Sequence, residues 1–525
     1  MRTPDSAAVP ASLWQGIATA PWAMALPVLL LGTFSLLFGE HVPAGDGLGW
    51  DGLQYAAMVR DLPHMIHAGE LNSYYAQRIV PPFVVREALM LARLPLDTAS
   101  IIRAFEIYNL ALLMIACWSW HAIVGALGMS VRGRWIGFGG IFVTYAFSKQ
   151  TFYYPVLTDV TALTVALLLL QCYLRKRSVA LLVVTWIGAF SWPVVGFTGA
   201  LLQLFMNSRL SPGAIGLPPA ARNEGGRHRR RIAIAYATIL IICIAAYVYA
   251  TGGNVDLSTP CQIPDVVTRL LGPGVVPCSY EAAVTGLPAL LGAGLALLGL
   301  LGSWAAAASV IACLVRVKPG RIAMAGLSLL VPILIVKTIS NPALENPSGI
   351  RYMLEYMTLP PPGKFLLPLV TLSVFWGPML VLVVICWRQF SSEIRCLGPG
   401  VLGVVALAVP LGLANEPRFI TVAWPFCVAG MAMALDRATL RSGFATAFVV
   451  LTLLSAQFWM PLNLAPWQPP DHAGLFEFPK QMYFMHYGLW MNWLSYGIQL
   501  PAILVGALWL RNRIEGFRHN APDAV

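Results

Sequence analysis

Charged side chains are scarce in this sequence, and that scarcity excludes a water-soluble globular protein. Asp, Glu, Lys and Arg make up 11% of the 525 residues, whereas 58% of the residues are hydrophobic. A soluble domain carries roughly 25% charged residues. The composition therefore predicts a multi-pass membrane protein that is surrounded largely by lipid and satisfies its backbone hydrogen bonds inside helices.

Signals for nucleotide and metal sites are also missing from the sequence. The glycines of 292–302 lie in an apolar run without a following Lys-Ser/Thr pair, which is typical of helix packing rather than of a phosphate loop. His64 and His67 stand three residues apart but supply only two metal ligands. We find no internal repeat, so nothing indicates a nucleotide-binding, metal-binding or repeat protein.

Long apolar runs are abundant instead. About 20 apolar residues cross a hydrocarbon core that is roughly 30 Å thick. We expect an all-α integral membrane fold of about fourteen transmembrane helices, two of them short and separated by a break at Trp192-Pro193. The runs are 21–39, 102–128, 135–148, 157–174, 179–190, 193–206, 232–251, 286–315, 322–339, 365–387, 398–414, 419–435, 442–461 and 488–510.

The net charge of +11 is explained by topology. With a cytoplasmic N-terminus, the alternate connections that fall inside hold 22 of the 34 Lys and Arg residues and 6 of the 23 Asp and Glu residues. Positive residues favour the cytoplasmic side of a membrane. We therefore expect both termini in the cytoplasm and the bilayer as a partner, and we expect no nucleic acid partner.

The chain divides into two modules by its outer loops. Residues 1–251 form the first module, with outer loop 40–101, and residues 252–525 form a more variable second module, with outer loops 252–285, 340–364 and 462–487. Cys261 and Cys278 share loop 252–285, where oxidation into a structural disulfide and two free thiols both remain open.

The first outer loop has helical periodicity. Apolar residues recur at spacings of three and four over 55–66, which predicts a helix in the interface plane that is bent at Pro63. Asp51 stands at its start, where capping of the helix is one interpretation of the carboxylate. Residues 96–100 are typical of a capped start of the second span, with a second interfacial stretch at 74–83.

Three motifs resemble the GT-C superfamily of bacterial membrane glycosyltransferases over roughly the first 250 residues. They are Gly-Trp-Asp-Gly-Leu-Gln-Tyr at 49–55, Gln-Arg-Ile-Val-Pro-Pro-Phe at 77–83 and Tyr-Pro-Val-Leu-Thr-Asp at 154–159. Gln54 is displaced by one position from the commonest version of the first motif. The resemblance indicates the fold more specifically than it indicates the substrate.

The resemblance implies transfer of a sugar from a polyprenyl-phosphate carrier to a glycan, lipid or protein acceptor, with inversion, at the outer face of the bacterial inner membrane. Asp51 is the implied general base, which takes the proton of the acceptor hydroxyl. Asp159 is the implied second carboxylate, with helix capping as its alternative. A divalent metal, which some members use, is not indicated because no Asp-x-Asp cluster occurs.

Arginine is suited to the lipid phosphate because its planar fork binds oxyanions through two hydrogen bonds. Arg78 stands in the second motif, and Arg418 stands in the turn Asn-Glu-Pro-Arg at 415–418, where Glu416 accompanies it. Arg351 is a third choice, with a solvated loop arginine as its alternative. The motifs add further substrate-binding candidates, namely Gln54, Tyr55 and Gln77.

Two other functions compete with this interpretation. A transporter or flippase for a lipid-linked glycan would show internal symmetry and broken helices in the membrane. A glycan polymerase or ligase would place basic residues in a large late outer loop, for which 340–364 is a moderate candidate.

Overall fold

A computed structural model of the chain describes residues 16, 19–210, 292–344, 366–413, 416–463 and 493–517, which are mainly α-helical. The helices of the first part are α1 Pro21–Phe38, α2 Asp51–His67, α3 Ser73–Ala76, α4 Val80–Leu91, α5 Thr98–Ala126, α6 Val131–Phe142, α7 Asp159–Leu174, α8 Ser178–Ala189 and α9 Val194–Leu204. Those of the later part are α10 Trp304–Val315, α11 Pro319–Ile339, α12 Leu367–Trp376, α13 Pro378–Ile385, α14 Trp387–Cys396, α15 Pro399–Leu411, α16 Trp424–Asp436, α17 Phe444–Ala456 and α18 Trp493–Arg511. Short helical turns occupy Ala44–Gly47, Ala146–Gln150, Thr151–Tyr153 and Pro417–Ile420, and strands β1 Ala438–Leu440 and β2 Ile514–Phe517 pair antiparallel.

Three of the described helices, α1, α5 and α11, are long and apolar enough to cross a membrane. A bent pair, Gly292–Leu301 with Ala306–Val315, would make a fourth span. Helical membrane character is thus supported, whereas the number of fourteen spans stays a prediction. Many expected spans are helices of 10–17 residues, which at 1.5 Å per residue reach only about 15–25 Å. The predicted span 232–251 lies outside the described residues.

Breaks within the apolar runs divide them into shorter helices. The expected break at Trp192-Pro193 is present between α8 and α9, where the carbonyl of Phe190 accepts a hydrogen bond from the Val80 amide at 3.0 Å. The run 365–387 has a second break, which we did not expect. Gly377 adopts φ 71° there, a conformation that glycine tolerates best, and Pro378 starts the next helix.

The first outer loop forms α2 as the periodicity predicts, but its apolar face contacts protein. Tyr55, Met58 and Val59 are almost fully buried, against α4 and α5. The helix kinks at Asp61, where φ is −153°, two residues before Pro63. Protein therefore covers the face that the periodicity assigned to lipid, and the position of the helix in the interface plane stays a prediction.

The predicted capped start of the second span is confirmed. Asp97 is the N-cap of α5, and its Oδ1 atom accepts a hydrogen bond from the Ser100 amide at 2.8 Å.

Contacts sort several of the described connections into two groups. At one end of the helices, the Lys149 ammonium lies 2.8 Å from Glu40 Oε1, and the Asn463 amide donates to Glu40 Oε2. At the other end lie three ion pairs and the β1–β2 pair: Arg132–Asp436, Arg437–Glu393 and Arg441–Glu515. We call these the acidic end and the basic end.

Candidate active site

Arg418 lies at the centre of a carboxylate cluster at the acidic end. Its Nη2 atom is 3.2 Å from Asp51 Oδ2, and its Nη1 atom is 3.5 Å from Asp159 Oδ2. Its Nε atom donates a short hydrogen bond to Glu416. Three carboxylates from distant parts of the chain thus converge on one guanidinium, and we call these four residues the Arg418 cluster.

Asp51 and Asp159 both occupy the first position of a helix without capping it. The N-cap residues of α2 and α7 are Trp50 and Thr158, and no side chain caps either helix. Both carboxylates face Arg418 instead. Capping is therefore the wrong interpretation of these two residues, although the positive end of each helix dipole still favours a nearby carboxylate.

The turn that carries Arg418 is held by its neighbours. The indole of Trp376 donates to the carbonyl of Pro417 at 3.0 Å, and the Thr421 hydroxyl donates to the carbonyl of Arg418. The rings of Trp376 and Trp424 lie 4.8 Å apart. Since α12 and α16 both contribute to this packing, the position of Arg418 is set by buried aromatic contacts and not by the turn alone.

Arg78 lies beside the cluster and is buried against aromatic rings. Its guanidinium carbon is 3.7 Å from the centre of the Tyr74 ring, and its Nη1 atom donates to the Tyr74 carbonyl at 3.0 Å. Trp192 is close to both arginines, with Arg78 at 5.4 Å and Arg418 at 6.0 Å from the centre of its ring. The Tyr74 hydroxyl donates to Asp51 Oδ2 at 3.4 Å. Both arginines of the expected phosphate-binding pair therefore lie within about 6 Å of one indole ring.

Burial and charge oppose each other in this site. Burial alone lowers the pKa of Arg418, but Glu416, Asp159 and Asp51 outweigh it and raise that pKa well above its ordinary value. Burial and the Asp51 carboxylate raise the pKa of Tyr75 to about 12. Arg418 therefore stays charged, and Tyr75 stays a neutral hydroxyl at physiological pH.

One oxygen of Asp159 remains available. Among the described residues, Asp159 Oδ1 has no hydrogen-bond partner, and neither have Asn109 Oδ1 and the side-chain amide of Gln150. All three residues line a cavity of about 10 Å³, a volume that suits one water molecule. Arg418 thus binds one face of the Asp159 carboxylate, and the other face points to a small polar space.

The other predicted site residues are not members of the Arg418 cluster. Gln77 Nε2 donates to the Ser73 carbonyl at 2.9 Å, so it braces its own helix. Tyr55 is buried with its ring edge against Tyr75, and Gln54 is half-buried. Arg351, Cys261 and Cys278 lie outside the described residues, so those predictions stay as they were.

Among the described residues, no group of three His, Cys, Asp or Glu side chains is arranged to hold a metal ion. His67 is bonded to the Pro63 carbonyl, and His64 lies 4.0 Å from Glu70. The three carboxylates of the Arg418 cluster surround a guanidinium, which itself supplies the positive charge there.

Three side chains of the site were missed by sequence reasoning, namely Tyr74, Tyr154 and Trp192. Tyr154 explains the glycines of the first motif, because its hydroxyl accepts a hydrogen bond from the Gly52 amide at 3.3 Å. Gly49 has φ 69°, and a Cβ atom there would lie 2.2 Å from the Tyr154 ring. The pairing of Tyr154 with these glycines had no local signal, but Tyr74 stands one helical turn before Arg78.

The comparisons with known proteins add no identity. No family model matches the chain, and no curated protein or solved structure matches it either.

Proposed function

We propose that this chain is a membrane glycosyltransferase that moves a sugar from a polyprenyl-phosphate carrier to a glycan, lipid or protein acceptor at the outer face of the bacterial inner membrane. The supporting observation is the Arg418 cluster, in which Asp51, Asp159 and Glu416 meet one guanidinium with Arg78 close by. It joins the two chemical groups that such a reaction needs, a carboxylate base and buried cations for a phosphate.

Asp51 is the base in this proposal. Its side chain is 22% exposed, the most of the three carboxylates, so an acceptor can reach it. The acceptor oxygen attacks the anomeric carbon, its proton passes to Asp51, and the bond from that carbon to the carrier phosphate breaks. The electron pair of the broken bond leaves with the phosphate, where an arginine stabilises the growing charge.

Arg418 has a second role that follows from its contacts. Its Nη2 atom lies 3.2 Å from Asp51 Oδ2, so the guanidinium is the counter-ion of the proposed base. A donor phosphate competes for the same guanidinium. When Arg418 turns to the phosphate, Asp51 loses its counter-ion at the moment when the donor is present. Asp159 and Glu416 hold the arginine in place between these two states.

The central test is Asp51→Asn, which keeps the shape of the side chain and removes the base. We expect transfer of labelled sugar from polyprenyl-phosphate in membrane vesicles to fall by roughly 10²–10⁴-fold. Asp46→Asn is the matched control, since Asp46 lies in the same loop and is exposed, and it should retain the wild-type rate. Wild-type transfer by Asp51→Asn would refute the assignment.

A lipid-linked glycan transporter is the second candidate, and the helix breaks favour it. Interrupted helices at Trp192 and at Gly377, with a buried charged cluster, are typical of transporters. Reconstituted vesicles separate the two functions, because a transferase makes a covalent product whereas a transporter only moves the intact lipid across. The loop expected for a polymerase or ligase, 340–364, lies mostly outside the described residues.

A further inference from the structure

An apolar groove opens at the basic end, between α6 and α17. Its volume is about 530 Å³, which is within the range of ligand pockets. The walls are mainly apolar and aromatic, with Trp135, Phe138, Phe444 and Phe448 among them. Helix α16 runs from near Arg418 to Asp436, so the groove and the Arg418 cluster lie toward opposite ends of the bundle.

The outer rim of the groove is exposed in the part of the chain that the structure describes. Val449 and Leu453 line it and are 52% and 45% exposed. Both belong to α17, an apolar helix. In a membrane-embedded bundle, an exposed apolar helix face contacts acyl chains, so the groove is open to the bilayer.

The mouth of the groove is basic. Arg132 and Arg441 line it, with side chains that are 44% and 61% exposed. Arg513 lies beside them and donates to the Ser442 carbonyl at 2.9 Å. Two carboxylates accompany these three arginines: Glu515, 3.2 Å from Arg441, and Asp436, 3.9 Å from Arg132. Among these described side chains, one net positive charge remains at the mouth.

Asp436 also forms hydrogen bonds with the backbone there. It accepts hydrogen bonds from the backbone amides of Ser130 and Gly133 at the start of α6. At the start of α17, in contrast, the N-cap is Gly443 and no side chain caps the helix. The positive end of that helix dipole therefore adds to the arginine charge at the mouth.

The length of the groove matches one membrane leaflet. It extends from Arg132 to Val143 along α6, which is about 16 Å at 1.5 Å per residue. The hydrocarbon core is roughly 30 Å thick, so half of it is about 15 Å. A basic mouth at one end and an apolar channel of leaflet length match a phospholipid in both charge and shape.

We propose that this groove binds an anionic phospholipid, with the phosphate between Arg132 and Arg441 and one acyl chain along α6 and α17. Basic pockets between transmembrane helices hold lipid headgroups in this manner. A zwitterionic lipid has no net charge to match the mouth, so the groove should prefer the anionic one. The proposal does not depend on the proposed function, because the groove is separate from the Arg418 cluster.

The test uses the full chain in detergent and compares dioleoyl phosphatidylglycerol with dioleoyl phosphatidylcholine. We expect the anionic lipid to raise the apparent Tm by at least about 2 °C more than the zwitterionic lipid does. Arg441→Gln, which alters the mouth, and Ala445→Trp, which fills the groove, should each remove this difference. Arg388→Gln is the matched control, since Arg388 is also exposed but on α14, and it should keep the difference.

Three results would overturn the proposal. The first is an equal Tm shift with both lipids in the wild-type chain. The second is an unchanged preference for phosphatidylglycerol in both Arg441→Gln and Ala445→Trp. The third is a full shift with glycerol 3-phosphate alone, which would assign the mouth to a free phosphate and not to a lipid.

Discussion

The two ends of the bundle use the same residue types in opposite ways. At the acidic end, Arg418 is 6% exposed and pairs with three carboxylates. At the basic end, Arg441 and Glu515 are 61% and 49% exposed and form a simple pair. An exposed ion pair contributes about 0–1 kcal/mol, whereas removing one partner of a buried pair leaves an uncompensated charge. Burial therefore distinguishes the Arg418 cluster from the exposed ion pair at the basic end.

Arg418→Ala should have the largest effect, because it leaves Asp51, Asp159 and Glu416 without the guanidinium that they share. We expect a loss of about 3–5 kcal/mol in stability and no detectable transfer, measured by thermal unfolding in detergent and by labelled sugar. Arg418→Lys keeps the charge but lacks the planar fork, so it should recover more stability than activity. Wild-type stability of Arg418→Ala would show that the carboxylates do not depend on the guanidinium.

Gly49→Ala should have the second-largest effect on stability, because it alters the backbone beside Asp51. The added Cβ meets the Tyr154 ring at 2.2 Å, and φ is 69°, so we expect a loss of about 1–3 kcal/mol. Gly516→Ala is the control, since a Cβ there meets nothing within 4 Å. Equal melting temperatures for the two variants would contradict the close packing of Gly49 on Tyr154.

Glu40 connects the start of the first outer loop to Lys149 and Asn463, and it predicts a dependence on pH. Burial alone raises the pKa of Glu40, but Lys149 and the amides of Asn463 and Leu462 outweigh it and lower that pKa. A carboxylate with a lowered folded-state pKa stabilises the protein above its unfolded-state pKa, and this stability is lost as the pH falls through the folded-state value. Glu40→Gln should reduce the pH dependence of Tm below about pH 5. If the Tm of Glu40→Gln varies with pH as it does in the wild-type chain, Glu40 does not cause this pH dependence.

Arg441→Gln should have the smallest effect in lipid-free detergent. It breaks one exposed pair with Glu515, so the stability should change by less than about 1 kcal/mol, as measured by thermal unfolding. The transfer rate should not change, because Arg441 lies at the basic end. A loss of stability as large as that of Arg418→Ala would contradict the difference between the two ends.

Local sequence patterns predicted where many of the described helices occur, but they missed one of the points at which the helices are interrupted. The capped start at Asp97 and the break at Trp192 follow from residue chemistry within a few positions. The break at Gly377 was missed because the apolar run continues through it, and hydropathy does not register backbone conformation. The apolar face of α2 was assigned to the membrane, since periodicity cannot tell whether lipid or protein covers a face.

The sequence by itself determined a lipid environment, the approximate helix limits and the identity of the charged residues worth testing. Asp51, Asp159, Glu416 and Arg418 were each candidates, but only the tertiary structure placed them together. Asp159 and Asp51 are separated from Arg418 by 259 and 367 positions, and no local periodicity relates residues so far apart. Their meeting depends on the packing of α2, α7 and the turn before α16, which is decided by contacts between helices.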